Sequence, residues 1–184
     1  MIVGIDEVGR GCWAGPVVAG AVLLARPIKG LKDSKLLTKL ARERLDAEIR
    51  VAAVAFGIGW VTPADIDRWG LTEAVRVAMR RAFEAITAPY EKIVVDGNYN
   101  YFSDFPNSEA LIAADNLVPA VSAASIIAKV ARDRFMADMA VKFPGYSFEK
   151  HVGYGTAAHR AAMKLQGICE LHRRSFKPVQ LFVS

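Results

Sequence analysis

The chain has 184 residues, Lys+Arg 24 against Asp+Glu 19, a net charge of +5 and 53% hydrophobic residues. That length suits one domain over residues 1–184 with a single sizeable core, and so high a hydrophobic fraction excludes intrinsic disorder. The longest uncharged apolar stretch, residues 15–25, is far shorter than the roughly 20 residues of a membrane helix, and Asp6, Glu7 and Arg10 interrupt the place where a signal peptide is apolar.

Met1–Asp6 (MIVGID) reads as a short buried strand ending in a carboxylate, and Pro16–Leu24 (PVVAGAVLL) as a second, β-branched strand. Leu36–Ala52 spaces Leu37, Leu40, Leu45 and Ile49 as a helix. Ala53–Val61 is a third strand, which Gly57 and Gly59 are expected to weaken. Thr62-Pro63 starts a helix with an N-cap hydroxyl and a proline in the first turn. Thr72 to Ile86 is amphipathic, with Val75, Met79, Ala82 and Phe83 on one face. Lys92–Asp96 (KIVVD) is a strand that again ends in a carboxylate, Ala110–Ala113 a short fifth strand, Pro119–Phe143 a long helix, and Thr156–Gln166 a smaller helix closed by Gly167. Three successive strands imply antiparallel pairing, and the helix–strand alternation that follows implies an α/β fold around a mixed sheet. There is no G-x-G-x-x-G after a strand and no Walker loop. Basic residues gather in 29–39, 76–81 and 172–177, and each cluster alone reads as a solvated face or terminus. Cys12 and Cys169 offer neither a disulfide framework nor a C-x-x-C zinc pair, so a reducing cytoplasm is expected.

The chemical signal is a set of acids at strand ends. Asp6 and Glu7 close the first strand, and Gly9 and Gly11 just after them suggest a break that lets both side chains serve one site. Asp96 closes the strand 93–95 before Gly97, and Asp115 stands at a strand-to-helix junction. Several carboxylates buried together are costly unless cations compensate. Oxygen-only ligation suits Mg²⁺ or Mn²⁺, and two such ions about 3.5–4 Å apart stabilise the attacking and leaving oxygens of a phosphoryl displacement. A single aspartate is otherwise a helix cap or turn residue, which is the role expected of Asp65, Asp67, Asp104 and Asp138.

The segment from Gly4 to Gly11 (GIDEVGRG), continued by Ala14-Gly15-Pro16-Val17-Val18, resembles the opening motif of ribonuclease HII, the bacterial type 2 ribonuclease H. Asp33-Ser34-Lys35, Val95-Asp96-Gly97-Asn98, the run from Ser122 to Asp133 (SAASIIAKVARD), Gly153-Tyr154-Gly155-Thr156 with His159, and the segment from His172 to Phe176 (HRRSF) resemble the family's later blocks in the same order. The resemblance implies a ribonuclease H-like fold with a five-stranded mixed sheet, flanking helices and a helical C-terminal part from about residue 145 that helps bind substrate. It implies a metal-dependent endonuclease, using Mn²⁺ or Mg²⁺, that cuts RNA in RNA·DNA hybrids and nicks 5′ of single ribonucleotides in duplex DNA, leaving 3′-hydroxyl and 5′-phosphate ends. Its metal-binding acids map onto Asp6, Glu7, Asp96 and Asp115. Asp133 is expected to be structural, pairing with Arg132 or a neighbouring segment.

The family's Gly-Arg-Gly maps onto Gly9, Arg10 and Gly11, where bare backbone can meet a 2′-hydroxyl and the guanidinium can fork a phosphate. Its tyrosine maps onto Tyr154, whose ring would lie against the deoxyribose after the ribonucleotide. Lys35 is the expected phosphate contact, and His151, His159 and His172 are assigned to structure or phosphate contact. Three places depart from the family pattern: Ala113-Ala114 precede the fourth acid, Val152 stands where lysine is common, and Cys12-Trp13 replace Pro-Leu. The related ribonuclease HIII carries an extra N-terminal domain, for which Asp6 stands too near the start. A monomer is expected. The rival readings are a hybrid-binding module without turnover and an unrelated phosphoryl-transfer enzyme of the same fold, such as a resolvase or transposase. The tail 179–184, with Gln180 before Leu181-Phe182, is similar to short peptides that dock on sliding clamps.

Overall fold

Runs of β-branched residues bounded by turn residues set the sheet. In the computed structural model, which describes residues 1–31 and 37–183, β1 (Ile2–Val8), β2 (Val17–Leu24) and β3 (Ala53–Val61) pair antiparallel. Beyond β1, the strands β4 (Lys92–Asp96) and β5 (Ser108–Leu111) continue in parallel, giving the order β3-β2-β1-β4-β5. All of β2 is buried because helices cover both faces of the sheet.

On one face lies α3 (Leu71–Phe83), whose Val75, Ala78, Met79 and Ala82 pack on Val3, Ile5 and Val17. Gly57 and Gly59 do not weaken β3 but admit this helix: a Cβ on Gly59 would stand 1.9 Å from the Ala78 carbonyl oxygen. On the other face, α1 (Lys39–Ala52) supplies Leu45 and Ile49, and α5 (Pro119–Lys142) supplies Ala123, Ala124 and Ile127. Thr38 caps α1, accepting from the Ala41 amide at 3.2 Å, so that helix begins later than its apolar spacing predicts. The helix α2 (Pro63–Trp69) starts as predicted, with Thr62 as its cap. Among the described residues no helix is long and apolar enough to cross a membrane.

A third cluster belongs to the C-terminal part. Tyr146, Phe148, Met163, Leu171 and Val179, from α6 (Phe148–His151), α7 (Ala157–Gln166), α8 (Lys177–Gln180) and their connections, pack with Met136 and Ala14. This layer closes over the segment between β1 and β2: Gly15 N–H donates to the Leu171 carbonyl and Arg173 N–H to the Trp13 carbonyl, both at 2.8 Å. Two arginines with no exposed surface tie the same segment from beneath. Arg132 donates to the carbonyls of Pro16 (2.9 Å), Val152 (2.8 Å) and Ala14 (3.1 Å), and Arg173 to those of Gly15 (3.0 Å) and Arg10 (2.9 Å).

Several expectations shift. The fifth strand spans residues 108–111 rather than 110–113, because Ala113 takes a left-handed conformation (φ 56°) that caps α4 (Ala114–Leu117). Of the two partners expected for Asp133, it takes the neighbouring segment, pairing with Arg42 of α1 (3.7 Å) and with Lys129 of its own helix (2.6 Å) rather than with Arg132. The cluster at 76–81 is spent internally: Arg76 pairs with Glu73, Arg80 with Asp104 and the Tyr101 carbonyl, and Arg81 with the Trp60 carbonyl. Asp65 bonds with its cap Thr62, and Asp67 accepts from the amides of Arg174 and Ser175. Cys12 and Cys169 are free, and Cys12 is fully buried.

Candidate active site

Register brings the first two acids together. Parallel pairing aligns Gly4 with Val94 and Ile5 with Val95, so Asp6, two residues before the end of β1, follows in register beside Asp96 at the end of β4. In-register residues share a face, and Gly4 shows which one: a Cβ there would stand 2.1 Å from the Ala120 carbonyl carbon of α5. Asp6 therefore looks toward α5, where Ser125 bonds its carboxylate. Burial pushes the Asp6 carboxyl well above the usual carboxylate range, and the charges of Glu7 and Asp96 push it further. Among the described residues Asp6 makes no ion pair.

Glu7 is the next residue of β1, and the strand ends one residue later at Val8. Gly9 follows at φ +94°, with Arg132 so close that a Cβ would stand 2.4 Å from its Nε. This left-handed turn is the break expected from the glycines. Burial raises the Glu7 carboxyl too, partly offset by Arg10, which bonds it at 3.2 Å. Arg10, expected to grip a phosphate, is thus held by Glu7 while its side chain stays 49% exposed.

Asp96 Oδ1 accepts from the Ala114 amide at 2.8 Å, which fixes the start of α4 beside the end of β4. Asp115, in the first turn of α4, is buried, and Asn116 donates to its carboxylate at 3.1 Å. Ser122 of α5 donates to the Asp115 main-chain carbonyl. The four acids are thereby carried by β1, β4 and the first turn of α4.

A cavity of about 290 Å³ opens over this corner, lined by Asp6, Glu7, Val8, Arg42, Ser125, Lys129 and Tyr154. Tyr154 lies near the glycine loop, its Cε1 3.9 Å from where a Cβ on Gly11 would be. Lys35, with the rest of the D-S-K segment, lies outside the described residues. The sequence reading missed Arg42, Ser125 and Lys129. Ser122, Ser125 and Lys129 recur at helical spacing in an otherwise alanine-rich stretch, which is the signal that marks a polar stripe; nothing in the sequence marks Arg42.

The donor set consists of carboxylate oxygens, which suits a hard divalent cation; Arg42 and Lys129 line the same cavity but pair with Asp133, and Arg10 bonds Glu7. Among the described residues no three Asp, Glu, His or Cys side chains are already arranged to hold one ion. Asp6, Glu7 and Asp96 stand close enough to feel one another's charge, and Asp115 follows the residue whose amide bonds Asp96.

The three histidines are buried behind Tyr154, so a phosphate contact is not their place. His159 and His172 meet through their Nε2 atoms at 3.0 Å. Burial holds both rings down to about 4. Unfolded histidine titrates near 6.5, so the unfolded chain takes up protons first and stability falls between about pH 6.5 and pH 4. A loss of several kcal/mol across that window is expected from denaturant midpoints at pH 7.5, 5.5 and 4.5. A flat profile would show that the pair does not stay neutral.

The family model for Ribonuclease HII matches residues 3–179. Ribonuclease HII of Polaromonas sp. is 48% identical over 185 residues, covering 97% of this chain and 90% of that protein. Among solved structures, ribonuclease H2 from Pyrococcus horikoshii OT3 superposes with a TM-score of 0.84 at 27% identity, covering 98% of this chain and 96% of the other. RNase HII in the PCNA:RNase HII complex from Archaeoglobus fulgidus gives 0.80 at 28% identity, covering 96% and 95%.

Proposed function

The chain belongs to the ribonuclease HII family and is a ribonuclease H endonuclease, and from that premise we propose that it nicks duplex DNA on the 5′ side of an embedded ribonucleotide, leaving a 3′-hydroxyl and a 5′-phosphate. The observation that supports the reading is the Asp6–Asp96 pair: two carboxylates on adjacent strands that feel each other's charge, with Glu7 beside Asp6 and Asp115 next to the Ala114 amide that bonds Asp96.

Asp6, Glu7, Asp96 and Asp115 would hold Mg²⁺ or Mn²⁺. Such an ion, when bound, supplies Lewis-acid polarisation of a phosphoryl oxygen and lowers the pKa of water. The chain's own residues do the rest. Gly9 and Gly11 leave backbone bare, so peptide groups can bond the 2′-hydroxyl that separates RNA from DNA. Arg10 is exposed enough to exchange Glu7 for a phosphate. Tyr154 sets its ring beside Gly11, against the sugar that follows, and rejects a second 2′-hydroxyl there. Residues from 145 onward contribute to substrate binding through this tyrosine, and Lys35 adds a phosphate contact. Ser125 orients Asp6.

A duplex carrying one ribonucleotide, incubated with the protein and Mg²⁺ or Mn²⁺ beside an all-DNA control, tests this. One nick 5′ of the ribonucleotide is the expected product; no nick, or equal cutting of the control, refutes it. The tail supports a further contact: Leu181 is 84% exposed beside Gln180, which suits docking on a sliding clamp. Deleting residues 180–184 should then abolish clamp binding and leave nicking intact.

A further inference from the structure

We propose that His159 and His172 are positioning residues that set Tyr154 through a directed chain of hydrogen bonds ending on its main-chain carbonyl. The inference rests on the reading of Tyr154 as the residue that meets the sugar. The direction of the chain follows from donors and acceptors alone. The Tyr154 carbonyl can only accept, so His159 Nδ1, 2.9 Å away, carries the proton. A neutral ring then leaves Nε2 of His159 as an acceptor, and His172 Nε2 must donate to it. That leaves Nδ1 of His172 as an acceptor, and the Cys169 amide donates to it at 2.9 Å. The Cys169 carbonyl oxygen also lies 3.3 Å from His172 Nδ1, and the shorter contact with the Cys169 amide favours the acceptor form of that nitrogen.

His151 completes the grip from the other side. Its Nε2 donates to the Tyr146 carbonyl at 2.7 Å, its Nδ1 accepts from the Gly153 amide, and its ring stacks on His159 at 4.4 Å and 17°. The Gly153 carbonyl accepts from the amides of Trp13 and Ala14, which docks the tyrosine loop on the glycine loop. Tyr154 itself is 43% exposed, so its backbone is the part that the interior holds. Hydrocarbon rings could fill the same volume with less desolvation cost. Imidazole supplies a donor on one edge and an acceptor on the other, which a hydrocarbon ring cannot, and that is what the chain uses.

The test compares kcat/KM on a duplex with a lone ribonucleotide and on a continuous RNA·DNA hybrid, with Y154A as the reference. The Tyr154 carbonyl also accepts from the Thr156 amide at 2.8 Å; His159→Leu removes the side-chain donor that ties it to the interior and should shift the ratio of the two values toward that of Y154A, on the order of 10-fold, as small misplacements near a reacting group do. His159→Asn keeps an N–H within reach of the carbonyl and should restore the ratio even where its melting temperature stays as low as that of H159L. Should H159L not fold, His172→Phe breaks the next link at similar volume. A wild-type ratio in H159L or H172F, with Y154A altered, overturns the proposal alone. An unaltered ratio in Y154A overturns both the proposal and the reading of the tyrosine.

Discussion

Asp6→Asn is expected to lower cleavage by at least about 10³-fold, the upper end of what one preorganised electrostatic group contributes, while the protein melts at the same or a higher temperature. The two halves have one cause. Asp6 is buried beside two other acids, so its ionised form is costly to the fold and useful only once a cation balances it. Asparagine keeps the shape and the bond to Ser125 and removes the charge. The cation should also betray itself without any cleavage. At 100 times its Kd an ion that binds only the folded chain adds about 2.7 kcal/mol, which for a chain of this size is roughly 5–10 °C. Melting curves with and without Mn²⁺ should show that rise in the wild type and lose most of it in D6N. Full activity in D6N, or an unchanged cation-dependent rise, would remove the metal site from the proposed function.

Arg132→Leu should cost about 3–5 kcal/mol, the scale of several buried carbonyls losing their donor, or roughly 10 °C in melting temperature. Two effects oppose each other here. A buried guanidinium without an acid beside it is expensive, and leucine relieves that. But the carbonyls of Ala14, Pro16 and Val152 lose their donor, at about 1–3 kcal/mol each when buried, and the smaller side chain leaves a cavity. The lost bonds outnumber the one relieved charge, so the net sign is destabilising. Arg132→Lys, which cannot reach all of these acceptors from one ammonium, should fall between. Urea midpoints settle the order, and a change under about 1 kcal/mol in R132L would show that the loop holds its shape without the arginine.

Local pattern carried much of the fold. Strands β3 and β4 begin and end where their β-branched runs do, and α2 and α7 start at their threonine caps. The short helices α4, α6 and α8 escaped because a single turn shows no period. Asp6 and Asp96 were legible as acids at strand ends, but their adjacency is a property of register between strands about ninety residues apart. Ser125 and Lys129 lie on a helix apolar on nearly every side in its first half, which hid the stripe that faces the cavity. The histidines were legible one at a time; that they touch one another depends on how the C-terminal helices fold back on Phe148.

The bonds from residues 171 and 173 to the segment 13–15 have a consequence for biosynthesis. The loop that follows the first strand leaves the ribosome well before the groups that lock it, since Arg173 lies 158 residues beyond Gly15. An unfinished chain therefore carries its acids without the finished cradle beside them. The loop takes its locked form only once residues 171–173 have been made and have folded back onto it.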